Sequence, residues 1–203
     1  MTLASKLKGV KPQTGPSYEL RPDLLLHGNI PAPMHGVAPR VVLGTNWWNR
    51  ERNECYKKAE GFCQACGVPK IRASYHQWLE AHEVYNVDYA KGRMKYLYPV
   101  ALCHFCHCYI HDGRLQALLE KQEIHHHKYV AIITHGDEVL RRAGLVRESR
   151  DVRESKIQKM IVNGQVASWE KWRLRIGRRL YPPLYKTREE WELAMAKKTA
   201  DEE

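Results

Sequence analysis

Two cysteine pairs constrain this chain more than any other feature. Cys63 and Cys66 are two residues apart, as are Cys103 and Cys106, and 36 residues lie between the pairs. Two thiolates at that spacing sit on one tight turn, about a tetrahedron's edge apart. Two such pairs therefore make a four-sulfur zinc site once the chain folds back on itself. The interval is longer than in a compact zinc ribbon, so a structured insert must bring the pairs together. "SYHQWLEAHEVY" and "RMKYLYPVAL" are rich in β-favouring residues and flank the turn-forming "NVDYAKG", which predicts an antiparallel hairpin. Pro99 predicts that the second strand ends, bulges or lies at an edge there.

At 203 residues the chain is long enough for one sizeable domain or two small ones. Its 43% hydrophobic and 28% charged fractions are those of a soluble globular protein. No apolar run approaches the roughly 20 residues of a membrane span, and the opening residues show no signal peptide. A cytoplasmic protein with no membrane partner is therefore expected, and there paired cysteines are metal ligands rather than disulfides. The net charge of +10 is concentrated: Arg141 to Arg188 holds 14 Lys or Arg against 4 Asp or Glu, and the remainder sums to zero. Such a segment suits a polyanion, because each neutralised phosphate releases a counterion.

Residues 1–44 are rich in Pro and Gly and read as an extended arm laid over a core, or as partly disordered. Thr45 is placed to cap a helix over "NWWNRERNECYKKAEG", with Trp48 and Cys55 on its buried face and Gly61 as its stop. "HCYIHDGRLQALLEKQ" has apolar residues at helical spacing, with an interruption expected at Gly113. "HHHKYVAIITHGDEVLRRAG" reads as a helix broken and recapped at Gly136 and Asp137, then ended by Gly144. "SRDVRESKIQKMIVNGQ" is a further helix. "WRLRI" reads as a half-buried strand with Arg173 and Arg175 on one face, and "TREE" from Thr187 as a capping box. "TADEE" reads as a loose acidic tail.

The histidines near the second cysteine pair suggest a second site. His107 directly follows Cys106, and His111 lies one helical turn later, so both can point at one ion. His82 lies on the first predicted strand, beside Glu83. A hairpin packed across the helix sets His82 and Glu83 opposite His107 and His111. Adjacent strand residues face opposite ways, so joint use of His82 and Glu83 needs a bulge.

"CQACG … LEAHEVY … ALCHFCHCYIH", spanning Cys63 to about Gly113, resembles the HNH endonucleases, or ββα-metal nucleases, in their zinc-knuckle branch. The upstream "WWNRERNECYKKAEGFC" looks like the helix that commonly precedes the first knuckle in phage and bacterial members. The resemblance implies structural Zn²⁺ on Cys63, Cys66, Cys103 and Cys106, and a catalytic ion at His107 and His111. That ion would be Mg²⁺ or Mn²⁺, although two histidines also suit Zn²⁺ or Ni²⁺. It further implies DNA as the substrate, with phage or mobile-element encoding and a host-cell cytoplasm as the setting. Many members carry Asp or His immediately before the strand histidine, where this chain has Ala81. Two arrangements stay open. In the preferred one His82 is the base, and the ion sits on His107, His111 and water or Glu83. In the other, His82 is a third ligand and Glu83 the base. Loss of catalysis is a further alternative, leaving a zinc-knuckle module that binds nucleic acid or a protein partner.

A zinc deaminase is rejected, because it needs His-x-Glu followed by Pro-Cys-x2-Cys, whereas here His82 and Glu83 are adjacent and Leu102 precedes Cys103. Arg173, Arg175, Arg178 and Arg179, near Trp169, Trp172 and Tyr181, are the expected phosphate contacts. His104 reads as a knuckle-turn residue, and His27, His35, His76 and His135 as ordinary polar residues. Cys55 and Cys108 read as small packing groups. The expected fold is α+β: an extended arm (1–44), a ββα-metal core with zinc knuckles (45–124), and a basic, mainly helical C-terminal region with short strands (125–203).

Overall fold

In a computed structural model, which describes residues 15–201, the interval between the cysteine pairs folds as an antiparallel hairpin of β1 (Glu80–Asp88) and β2 (Arg93–Leu102). β1 begins later than the β-favouring run, because residues 74–78 form successive bends with Tyr75 at φ 79°. Pro99 stays inside β2, opposite Glu83. It is tolerated because β3 (Arg173–Ile176) pairs only with residues 93–95, so among the described residues no strand pairs with β2 on its outer side at Pro99. Close by, Val84 pairs with Tyr98 and Tyr85 with Tyr96, leaving Leu97 as the extra residue of a bulge. β3 runs parallel to β2, and β4 (Arg179–Tyr181) closes a four-stranded sheet in the order β1-β2-β3-β4.

Seven α-helices among the described residues complete an α+β fold: α1 (Pro39–Val42), α2 (Thr45–Lys58), α3 (His104–Ile110), α4 (Asp112–Glu120), α5 (His126–Arg142), α6 (Arg150–Val162) and α7 (Arg188–Asp201). None is long and apolar enough to cross a membrane. α2 buries Trp48 and Cys55 as its spacing requires, but Thr45 is its first residue and Gly44 takes the cap position. The break between α3 and α4 falls at His111 (φ −87°, ψ 49°), and Gly113 continues the helix.

Gly136 does not break α5. A Cβ there would lie 2.1 Å from Cδ2 of Tyr109, so the glycine exists to let α5 approach the Tyr109 ring on α3. The expected loose tail is helical through Asp201. At the start of α7, Thr187 Oγ1 accepts from the Glu190 N–H, while Glu190 reaches back to the Lys186 N–H. This is the expected capping box shifted by one residue.

Of the N-terminal segment, residues 1–14 lie outside the described part. From residue 15 onward it is not an extended strand but a series of short turns, with 3-10 helices at Pro22–Leu26 and Ala32–Met34. Leu24, Leu25 and Met34 are fully buried. Each such side chain contributes about 1.5–3 kcal/mol relative to exposure, so this segment helps to build the core. Two apolar clusters result. The larger joins Leu24, Leu25, Cys55 and Val84 to Val100–Leu102, α3 and α5. The smaller packs Met34, Met94, Tyr96, Trp172 and Leu174 at the other end of the hairpin.

Candidate metal centre

Gln64 closes the long interval between the cysteine pairs. Its N–H donates to the Ala101 carbonyl (2.9 Å) and its side-chain Oε1 accepts from the Ala101 N–H (2.7 Å). The first knuckle turn is thereby clamped to the end of β2, just before Cys103. Within that turn the Gly67 N–H donates to the Cys63 carbonyl (2.8 Å), with Gly67 at φ 75°. The sulfurs of Cys63, Cys66, Cys103 and Cys106 lie within 4.8 Å of one another, and Cys63, Cys103 and Cys106 are buried.

Cys66 Sγ and Cys103 Sγ are 3.8 Å apart. Sulfurs about 2.3 Å from a central zinc stand about 3.8 Å apart at tetrahedral angles, and they are far too distant here for a disulfide. The cluster can hold a metal such as zinc. The Cys103 thiol is pulled down by hydrogen bonds with Cys106, Cys63 and Cys66, whereas contacts with Cys103, Cys63 and Cys66 push Cys106 up. His135 Nε2 on α5 approaches Cys106 Sγ at 3.3 Å, so this histidine supports the sulfur cluster from outside.

The histidines form a second cluster on the opposite side of α3. His104, His107 and Cys108 share one helix face, which His111 extends past the end of α3. Glu80 and His82, two apart on β1, share the strand face that meets it. Ligand nitrogens of His82, His107 and His111 lie within 4.8 Å of one another, and His82 Nδ1 is 3.1 Å from His111 Nε2. Two ligands on one ion, each about 2.0–2.1 Å from it, are roughly 3 Å apart, so this separation fits a shared ion. The His82 ring stacks on His27 at 5.7 Å. Burial, followed by the neighbouring His111 and His107, pushes His82 down to about 2. Burial, followed by His107 and Arg114, pushes His111 down to about 4. Both are therefore neutral at physiological pH, the form that binds metal.

Glu83 is not brought into this cluster. The bulge, at Leu97 of β2, falls beyond the pairs that His82 and Glu83 make, so these two keep regular pairing with Val100 and Pro99 and face opposite ways. The Glu83 carboxylate lies 3.9 Å from Arg40 instead. In its place the structure supplies Glu80, whose Oε2 pairs with His107 Nδ1. A carboxylate on one imidazole nitrogen fixes the tautomer and leaves Nε2 for an ion. Burial alone would raise the Glu80 pKa, yet hydrogen bonds from His104, His107 and His76 hold it well below the usual carboxylate range. Period-two alternation with His82 was the sequence signal for Glu80.

Two clefts reach this cluster. His111, Arg40, Arg114 and Arg150 are among the residues lining a groove of about 1170 Å³. His107, Arg40 and Arg52 are among those lining a smaller one of about 300 Å³. His82, 6% exposed, lines neither. Arg173, Arg175, Arg178 and Arg179 lie on and around the β3–β4 turn. Arg173 donates to the Glu170 and Trp172 carbonyls and Arg175 to the Gly177 carbonyl (3.0 Å). β3 pairs with β2 five to seven residues before Val100, the partner of His82. At about 3.3 Å per residue that is roughly 17–23 Å along the strand. The structure therefore separates these arginines from the histidine cluster. No family model, no curated protein and no solved structure matches the chain.

Proposed function

We propose that the chain is a metal-dependent endonuclease of the HNH type that hydrolyses DNA phosphodiesters. The observation that carries this reading is the meeting of His82 on β1 with His107 and His111 across the β1-β2-α3 unit, beside a four-cysteine cluster. Histidines from a strand and a helix, stapled by a separate sulfur site, are the arrangement the sequence resemblance implies.

The residues present fit a divalent ion. His107 and His111 would hold it, with Glu80 orienting His107. When bound, such an ion supplies charge at the phosphate and acidifies water. The 3.1 Å approach of His82 to His111 leaves no room for a water between them, and its depressed pKa makes it a weak proton acceptor. Both observations favour His82 as the third ligand rather than the base. Arg40, in the wall of both clefts, is positioned to draw the phosphate towards His107 and His111. The sulfur cluster would hold structural zinc, fixing the hairpin against α3.

Supercoiled plasmid incubated with purified protein and Mg²⁺, Mn²⁺, Zn²⁺ or Ni²⁺ tests the reading. Nicking that disappears with chelator and in His107→Ala is expected. DNA binding without nicking under any of these ions would instead identify a binding module that has lost catalysis, the alternative that Ala81 raises. His82→Ala separates the two roles of that residue: a ligand's removal lowers ion affinity, whereas a base's removal slows cleavage with ion affinity intact.

A further inference from the structure

His76, Glu80 and His104 come from three places: the bent segment before β1, the first residue of β1 and the first residue of α3. Their ligand atoms converge within 4.8 Å. His76 Nε2 lies 2.7 Å and His104 Nδ1 2.9 Å from the same Glu80 oxygen, Oε1. The other oxygen, Oε2, faces His107. Two aromatic rings fix the imidazole planes. Trp78 stacks on His76 at 3.8 Å with an interplanar angle of 1°, and Tyr75 stacks on His104 at 4.2 Å. Lys128 Nζ in turn sits 3.3 Å above the Tyr75 ring.

We infer that His76, Glu80 and His104 form a further metal site for a divalent transition ion, joined to the histidine cluster through the Glu80 carboxylate. Two imidazoles and one carboxylate are a donor set for Zn²⁺, Co²⁺ or Ni²⁺ rather than Mg²⁺. The present distances are those of hydrogen bonds. An ion about 2.0–2.1 Å from each donor opens them by only a few tenths of an ångström. Three protein ligands leave a fourth position for water. Because Glu80 uses one oxygen here and the other on His107, an ion at this site fixes the carboxylate that orients His107. That coupling rests on the endonuclease reading, whereas the site itself does not.

The test is to count Co²⁺ or Zn²⁺ equivalents bound by the full chain, wild type against His76→Ala and His104→Asn, by elemental analysis after gel filtration. Each variant should bind one equivalent fewer than wild type. The thiolate-to-Co²⁺ charge-transfer band of the cysteine cluster should keep its intensity, which shows that the fold is retained. Equal metal counts in wild type and both variants would overturn the proposal, leaving a carboxylate satisfied by imidazole donors alone. His111→Ala is the separate control, because His82 is a ligand on only one of the two readings. If it loses no ion while His76→Ala does, the endonuclease site fails and this one stands.

Discussion

His82 Nδ1, on a buried ring, lies 3.1 Å from Nε2 of the half-buried His111. Nitrogens that close share one proton or one ion, and they repel if both are protonated. The folded chain holds His82 down to about 2 and His111 to about 4, whereas an unfolded imidazole titrates near about 6.5. Between about pH 6.5 and about pH 4 the unfolded chain therefore binds protons that the folded chain refuses, and stability falls as pH falls. Each refused proton costs about 1.4 kcal/mol per pH unit. The urea midpoint of wild type should drop more steeply below about pH 6.5 than that of His111→Gln. The cysteine site is common to both proteins and cancels. Parallel curves would show that these imidazoles titrate normally.

Gly136 and Tyr109 give a packing prediction. A methyl group on Gly136 would enter the Tyr109 ring, whose hydroxyl is held by Asp137 Oδ1 at 2.6 Å. The ring cannot swing aside without breaking that bond. Gly136→Ala should lose about 1–3 kcal/mol, the range for overpacking a dense core. Tyr109→Leu in the same background should recover part of it. A Tm for Gly136→Ala equal to wild type would mean that α5 slides freely over α3.

Cysteine chemistry separates two groups of thiols. Cys103→Ser or Cys106→Ser should lose one equivalent of zinc and lower the thermal midpoint, because the clamp between β2 and the first knuckle would then lack a metal. Cys108, half-buried beside His104, lies outside the sulfur cluster, so Cys108→Ser should keep its zinc. Elemental analysis and circular dichroism melts read both outcomes. Full zinc retention in Cys103→Ser would remove the sulfur site.

Much of this was legible from residue spacing. The cysteine pairs, the hairpin, and the shared face of His107 and His111 all follow from local periodicity. What was not legible depends on contacts distant in sequence. Gly136 reads as a helix break until Tyr109 is known to lie against it. His76 and His135 read as ordinary polar residues and His104 as part of the knuckle turn, because spacing alone does not show that His76 and His104 meet on Glu80 or that His135 reaches Cys106, 29 residues away. Joint use of Glu83 with His82 requires a bulge between them, and where the register shifts is not legible from spacing: it falls at Val84/Tyr85, which leaves Glu83 on the other face. The arginines at the β3–β4 turn were conspicuous by density. Arg40 and Arg114, single charges in ordinary stretches, are the ones lining the groove that His111 enters.

The break that places His111 has its own support. Arg147 donates to the Tyr109 and Ile110 carbonyls at the end of α3 and lies 3.4 Å from Asp112, which also pairs with Arg153. The Arg147 side chain is only 7% exposed. Removing one partner of a buried pair generally costs about 3–5 kcal/mol, and the remaining Arg153 partner lowers that towards about 2–3. Arg147→Met should therefore destabilise the chain by roughly that amount and speed amide exchange around residues 110–114. Unchanged exchange there would mean that the break is held by backbone alone.

Two sets of arginines compete as the phosphate-contacting surface, and salt dependence separates them. Each phosphate contact removed should reduce the slope of log K against log[salt] by about 0.9 for duplex DNA. On the endonuclease proposal, Arg40→Ala, Arg114→Ala and Arg150→Ala, all in the His111 groove, should each flatten the slope and slow nicking, because they would act where the scissile phosphate is proposed to lie. Arg173→Glu with Arg175→Glu should weaken binding while leaving the cleavage rate of bound DNA unchanged, since the β3–β4 turn is separated from the histidines along the sheet. Filter binding across a salt series and single-turnover nicking measure the two effects. If the groove variants keep both slope and rate while the β3–β4 variants lose both, DNA approaches along the sheet edge and the groove belongs to another ligand.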